Sequence, residues 1–237
     1  MRFLPASGAI ILMYHSIGDN KEFFTVPTDE FERQMEYLKS NGYNVVSLNE
    51  VVKALEQKKP ISSRTVALTF DDGYRDNYIE AFPILKKYGF PASIFLVSDW
   101  IGTTVTVRTG KPIPILEPAD LKVMIASGLI EFFPHTVHHM KLTQADNATA
   151  EAEIKESAER LAALDVLKDR IFAYPFGLYN STVVSILRRL NIRAALTVQP
   201  GRVRSGADLL TLPRNSIDSR VSFNQFKGIV HRGRISL

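Results

Sequence analysis

The sequence contains no cysteine. That excludes a disulfide framework, a thiolate zinc site, an iron–sulfur cluster and cysteine-nucleophile chemistry. A transition metal would have to be held by histidine and carboxylate. Long hydrophobic runs are also missing: no stretch reaches the ~18 apolar residues that span a bilayer, so no transmembrane segment is expected. The apolar run Ala9-Ile10-Ile11-Leu12-Met13 leads straight into Tyr14-His15 and does not have the pattern of a signal peptide. The expected setting is therefore cytoplasmic or membrane-peripheral, barring an upstream segment. A phosphate-cradling loop of the G-x-x-x-x-G-K type is absent, which argues against phosphoryl transfer. Charge of one sign is scarce too, with 29 Lys and Arg against 25 Asp and Glu. No nucleic-acid-binding motif accompanies that small excess, so no nucleic-acid partner is expected.

The 237 residues that are present alternate short apolar runs with longer amphipathic stretches, the signature of parallel α/β architecture. Strands are expected at residues 9–14, 43–47, 65–70, 92–97, 130–133, 171–174, 194–198 and 209–212. Helical spacing links Phe31, Met35 and Leu38, with Asn41-Gly42 closing that helix. The same spacing links Ile79, Phe82 and Leu85 ahead of Gly89, and Val183, Ile186, Leu187 and Leu190. Residues 143–164 read as a long helix rich in Ala and Glu. Eight strands with helices between them predict a closed or nearly closed β/α barrel, one domain over residues 1–237. Such barrels carry their chemistry on the loops at the carboxyl ends of the strands.

Polar groups cluster at those strand ends. Asp71-Asp72-Gly73 follows the third strand, and two carboxylates leaving a buried strand call for a cation or a proton. After the fifth strand comes Pro134-His135-Thr136-Val137-His138-His139, with three of the five histidines of the chain. His135 and His139 are four apart, so a helical turn would place both on one face, with His138 pointing away. Two histidines and a carboxylate with an open position form a catalytic zinc-type set, and a second carboxylate can act as base. The turn Pro175-Phe176-Gly177 offers backbone N–H groups to an oxyanion. His15, at the end of the first strand, is a candidate general acid. Phe23, Phe24, Tyr74, Trp100, Phe176 and Tyr179 are candidates for stacking against a sugar. His231, near the C-terminus, reads as a surface residue.

Taken in order, these pieces resemble the polysaccharide deacetylases with a NodB-type domain, carbohydrate esterase family 4. The resemblance rests on Thr69-Phe70-Asp71-Asp72-Gly73, His135-Thr136-Val137-His138-His139, Ala173-Tyr174-Pro175-Phe176-Gly177 and Leu12-Met13-Tyr14-His15-Ser16-Ile17. Leu212-Pro213-Arg214 extends it nearly to the end of the chain. The opening motif is similar to the branch that deacetylates poly-β-1,6-N-acetylglucosamine. The resemblance implies a distorted (β/α)7-type barrel and an N-acetylated glycan as substrate. It implies Asp71 as base, Asp72, His135 and His139 as ligands of a divalent metal (zinc, with cobalt or nickel as alternatives), His15 as acid and the Phe176 N–H as oxyanion donor. Tyr74, Tyr174, Pro175 and Gly177 are the expected substrate contacts. Two departures stand out. The arginine that many members place before the Pro of the third motif is missing, and Arg214 is its expected substitute. Phe132-Phe133-Pro134 stands where small residues are usual, which keeps a non-catalytic carbohydrate-binding domain as the alternative reading. The partner carboxylate of His15 is open between Asp208 and Asp218.

Overall fold

The computed structural model describes residues 7–107 and 109–233. In chain order the elements are β1 (Ile10–Tyr14), β2 (Ser16–Ile17), β3 (Thr25–Val26), α1 (Thr28–Ser40), β4 (Asn44–Val45), α2 (Leu48–Glu56), β5 (Thr65–Asp72), α3 (Phe82–Tyr88), β6 (Ala92–Leu96), β7 (Thr104–Thr106), β8 (Pro112–Pro114), α4 (Pro118–Ala126), β9 (Ile130–Pro134), α5 (Asn147–Ala163), β10 (Ile171–Ala173), α6 (Ser181–Arg189), β11 (Ala194–Leu196), β12 (Asn215–Ser216) and α7 (Phe223–Arg232). Parallel pairing runs β12–β1–β5–β6–β9, with β4 on the first two residues of β5. A separate parallel pair joins β10 to β11. Two thin seams complete the circuit: Phe132 bridges Leu167 ahead of β10, and Leu196 bridges Leu212 ahead of β12. Among the described residues, seven parallel strands thus follow one another in a cycle, distorted at both edges of the β10–β11 pair.

The two-residue period of a strand sorts its side chains between two cores. In β1, Ile10, Leu12 and Tyr14 face the outer helices, together with Phe31, Met35 and Leu38 of α1. Ile11 faces inward with Ala67, Phe95, Phe133, Ala173, Ala194 and Leu196. The interior is thus filled by two phenylalanines set against small alanines, and α2 adds Leu48, Val51, Val52 and Leu55 to it. A third cluster packs α5 and α6 onto Phe172, Tyr174 and Ala195. Among the described residues, no helix is long and apolar enough to cross a membrane.

Several expected elements shift. Residues 43–47 shrink to the two-residue β4, laid beside the start of β5. Residues 209–212 are not a strand: Asp208 accepts from the Leu210 N–H and winds Leu209–Thr211 into a 3-10 turn. The strand that pairs with β1 is β12, three residues further on. Helix α5 starts at Asn147 because Asp146 caps it, accepting from the Thr149 N–H. A π-turn at Asn77–Ala81 precedes α3. Its extra residue per turn rotates Ile79 off the face shared by Phe82 and Leu85, and Ile79 is exposed.

Candidate active site

The two carboxylates are the last two residues of β5, within the strand rather than after it. Asp71 shares the inward phase of Ala67. Arg214, fully buried just before β12, meets it with two nearly parallel bonds, Nη1 to Oδ1 at 2.6 Å and Nη2 to Oδ2 at 2.7 Å. Nε of Arg214 donates to the Thr197 carbonyl at 3.0 Å, which fixes the fork in its plane. Burial alone would raise the Asp71 carboxyl. The Arg214 charge, with His135 and His15 nearby, outweighs burial and holds it at about 2. Asp71 is therefore an anion with defined lone pairs at any working pH.

Strand alternation would send Asp72 to the outer side. Its φ of +73°, followed by Gly73 at +77°, breaks the alternation and turns the carboxylate over the end of the barrel. Oδ1 of Asp72 lies 3.6 Å from Nε2 of His135 and 3.4 Å from Nε2 of His139. Ligand atoms around a tetrahedral ion with bonds of ~2.0–2.1 Å sit about 3.4 Å apart, so this spacing suits such an ion. Oδ1 of Asp72 is buried without a hydrogen-bond donor among the described residues. An orphaned carboxylate oxygen aimed at two imidazole nitrogens is what a cation site requires. Among the described residues, these three form the one such cluster.

The histidines do not converge through a helical turn. Residues 135–140 are irregular, and positive φ at Thr136 (69°) and His139 (57°) folds the loop back until the two rings stand 5.0 Å apart. Nδ1 of His135 contacts the Ala173 carbonyl at 2.7 Å. A carbonyl only accepts, so Nδ1 carries the proton and Nε2 presents its lone pair. Burial pushes this imidazole down to about 4, keeping it neutral. Glu153 of α5 holds the loop from behind. Its Oε2 accepts from the Val137 and His138 amides at 3.1 and 3.0 Å, and its Oε1 meets Nδ1 of His138 at 2.5 Å. His138 is thus turned away from the cluster. Glu153 is a site residue that the sequence reading missed. The signal was its place on the buried face of α5, beside Ala150, Ile154, Ser157 and Leu161.

Phe132-Phe133-Pro134 fits without disturbing this loop. Phe133 fills the barrel interior against Phe95, with ring centroids 5.6 Å apart. The His135 N–H faces β6 and donates to Leu96. The preceding residue faces the other edge, where β9 meets its neighbour only through the Phe132 bridge. Pro134 therefore loses no ladder bond there.

The rest of the site is assembled at the same ends. His15 follows Tyr14 in the inward phase of Ile11 and Met13. Met13 pairs with Ser216, which brings Asp218 level with His15. Asp208 is engaged elsewhere, capping its own turn and facing Arg188. In the third motif Phe176 has φ +59° and its ring is half exposed, 4.5 Å from that of His139. A Cβ on Gly177 would stand 2.3 Å from Cγ2 of Val198, so only glycine lets this turn approach the next strand. His15, Asp71, Asp72, His135, His139 and Phe176 surround a cavity of about 370 Å³. Phe23, Phe24, Tyr74, Trp100 and Gly177 also line it, with Val105, Thr106 and Val107 of the unforeseen β7–β8 hairpin. Tyr74 stacks on Phe24 at 5.3 Å, and its hydroxyl is held well above the usual phenol range by burial and by Asp72. Tyr174 and Pro175 do not line the cavity. Alternation places Tyr174 on the outer side with Phe172, where its hydroxyl donates to the Leu210 carbonyl at 2.7 Å. Tyr179 packs against that ring and is likewise outside the cavity. His231 is exposed on α7, away from the site.

The polysaccharide deacetylase family model matches residues 58–195, the stretch that carries Asp71, Asp72, His135, His139 and Phe176. The chain belongs to the polysaccharide deacetylase family. A *Bacillus subtilis* protein, YxkH, is 32% identical over 91% of this chain and 74% of its own length. The poly-β-1,6-N-acetyl-D-glucosamine N-deacetylase of *Staphylococcus epidermidis* is 31% identical over 81% of this chain and 67% of its own. The *Streptococcus pyogenes* deacetylase PplD, solved in complex with acetate, superposes with a TM-score of 0.81 at 30% identity, covering 97% of this chain and 99% of that one. His15 and Arg214 lie outside the stretch matched by the family model.

Proposed function

We propose that this deacetylase hydrolyses the N-acetyl group of an N-acetylated glycan, one containing N-acetylglucosamine, with a divalent metal held by Asp72, His135 and His139. The observation that carries the reading is the convergence of those three ligand atoms beside an Asp71 carboxylate clamped by Arg214. The similarity to an N-deacetylase of poly-β-1,6-N-acetyl-D-glucosamine and to a deacetylase solved with acetate supports it. Zinc suits the donor set, and cobalt or nickel share its preference for imidazole.

A bound ion would polarise the acetamide carbonyl and lower the pKa of a coordinated water. Asp71 accepts a proton from the attacking water. Arg214 keeps its oxygens oriented for that transfer and blocks rotation of the carboxylate. Water adds to the carbonyl carbon, and the Phe176 N–H donates to the oxygen that gains charge. The C–N bond breaks as His15 gives a proton to the departing nitrogen, leaving acetate and a free amine. Asp218, whose two oxygens accept from Arg220, places a negative charge near the His15 imidazole. The aromatic wall of Phe23, Phe24, Trp100 and Phe176 offers flat apolar faces to a sugar ring.

The test is acetate release from N-acetylglucosamine oligomers after loading with zinc, cobalt or nickel. Activity is expected with the metal-loaded protein and is expected to vanish after chelation and in Asp71→Asn, which keeps its metal. Stoichiometric metal with no acetate from any N-acetylated glycan would instead favour a carbohydrate-binding role.

A further inference from the structure

Sheet pairing does not reach the acid histidine. β1 pairs with β5 as far as Tyr14 and with β12 only to Met13, so the ladder stops before His15. Side chains from the loop after β5 take over. Nδ2 of Asn77 donates to the His15 carbonyl at 2.7 Å and to Oδ1 of Asp76 at 3.0 Å. Asp76 then holds the next two residues: Oδ2 accepts from the Ser16 hydroxyl at 2.5 Å and Oδ1 from the Ile17 N–H at 3.2 Å. Nδ2 of Asn20 donates to the same Ser16 oxygen at 2.7 Å. Ser16 and Asn77 are buried. Asp76 and Asn77 stand at the start of the π-turn, a rare backbone form often found at functional sites. No step of the proposed chemistry uses either of them.

We infer that Asp76 and Asn77 are positioning residues for the general acid, gripping the chain from the His15 carbonyl to Ile17, just past the end of the ladder, so that its imidazole faces the cavity beside Asp71. This rests on the reading of His15 as the acid. The base, one metal ligand and the brace of the acid then all lie within residues 71–77. The distance between the proton-accepting and proton-donating groups is set inside one loop instead of between independent loops. A misplacement of about 1 Å in such a pair costs about 10²-fold in rate.

The leaving group separates this role from plain structural support. An amine must be protonated as it departs, whereas an aryl oxide leaves without a proton. The metal-loaded enzyme and its Asp76→Asn, Asn77→Ala and Ser16→Ala variants would be compared on an N-acetylglucosamine oligomer and on an aryl acetate. Asp76→Asn and Asn77→Ala are expected to lower kcat on the amide by about 10- to 100-fold, with KM within about twofold. On the aryl acetate they are expected to stay within about threefold of wild type, with unchanged metal content. Ser16→Ala, the mildest change, should show the same selectivity at about three- to tenfold and covers the case in which the others do not fold. His15→Ala with Asn77→Ala should be no slower on the amide than His15→Ala alone. Equal losses on amide and ester, additive losses in the double variant, or no loss in any variant would overturn the inference. A wild-type enzyme that cleaves the ester but releases no acetate from any amide would instead overturn the deacetylase reading.

Discussion

Arg214 shows how much a single residue settles here. Its guanidinium has no exposed surface and is spent on Asp71, Thr69 and the Thr197 carbonyl. Removing it leaves a buried carboxylate without a counter-charge, a loss on the order of 3–5 kcal/mol. Arg214→Ala should lower the denaturation midpoint accordingly and cut kcat strongly while metal content stays intact. Arg214→Lys keeps the charge but not the planar fork. It should recover much of the stability and little of the turnover. Retained turnover in both variants would show that Asp71 needs no fixed orientation.

The acids and histidines of the site were legible in the sequence because they stand together at the ends of apolar runs, and histidine is scarce, with five in the chain. Asp71, Asp72, His135 and His139 fall in that class. Arg214 was legible only as a substitute for a missing arginine, since an arginine 143 residues from its partner leaves no local pattern. Tyr174 was misplaced because motif membership says nothing of strand phase, and the phase of Phe172 already pointed it outward. Glu153 went unread because a glutamate in an Ala- and Glu-rich helix looks solvated until the helix has a neighbour.

At the scale of elements, the loop that carries His135 and His139 depends on a helix outside their cluster. α5 presents Glu153 to two consecutive amides and to His138. Glu153→Gln keeps the shape but loses the charge and one acceptor. On the proposed reading it should weaken metal affinity, because the loop between His135 and His139 loses its clamp, and competition with a chelator would measure it. Affinity equal to wild type would mean that the loop holds its own shape. The strand pattern was largely legible from the apolar runs. β2, β3, β7, β8 and β12 were not, because two or three residues with no longer apolar run around them show no period, and of the stretch expected at 43–47 only β4 is a strand.

Across the whole molecule, two single bridges among the described residues close the barrel, and side chains tie its loops to one another. Asp76 is one of them. Burial pushes its carboxyl from the ordinary 3.8 up to about 7, against the pull of Ser16, Ile17 and Asn77. The folded state therefore keeps a proton that the unfolded chain releases. The contribution of this proton to stability is complete below about pH 4 and is lost as pH rises toward 7. The swing is on the order of 2–4 kcal/mol. Denaturant titrations between pH 4 and 8 should show wild type losing ground to Asp76→Asn as pH rises. A constant difference across that range would contradict the assignment.

Asp72, Thr136, His139 and Phe176 all hold positive φ around one cavity. Left-handed backbone costs a non-glycine residue about 1–2 kcal/mol, and more for a β-branched one such as Thr136. Four of the eight non-glycine residues with positive φ among the described residues thus gather at the candidate site, and on the proposed reading the folded chain without an ion is a tensioned frame. Thr136→Gly should raise the Tm of the metal-free protein and lower its affinity for the metal. The metal-induced rise in Tm should shrink with it. A thermostability screen blind to activity would thus select against the catalyst.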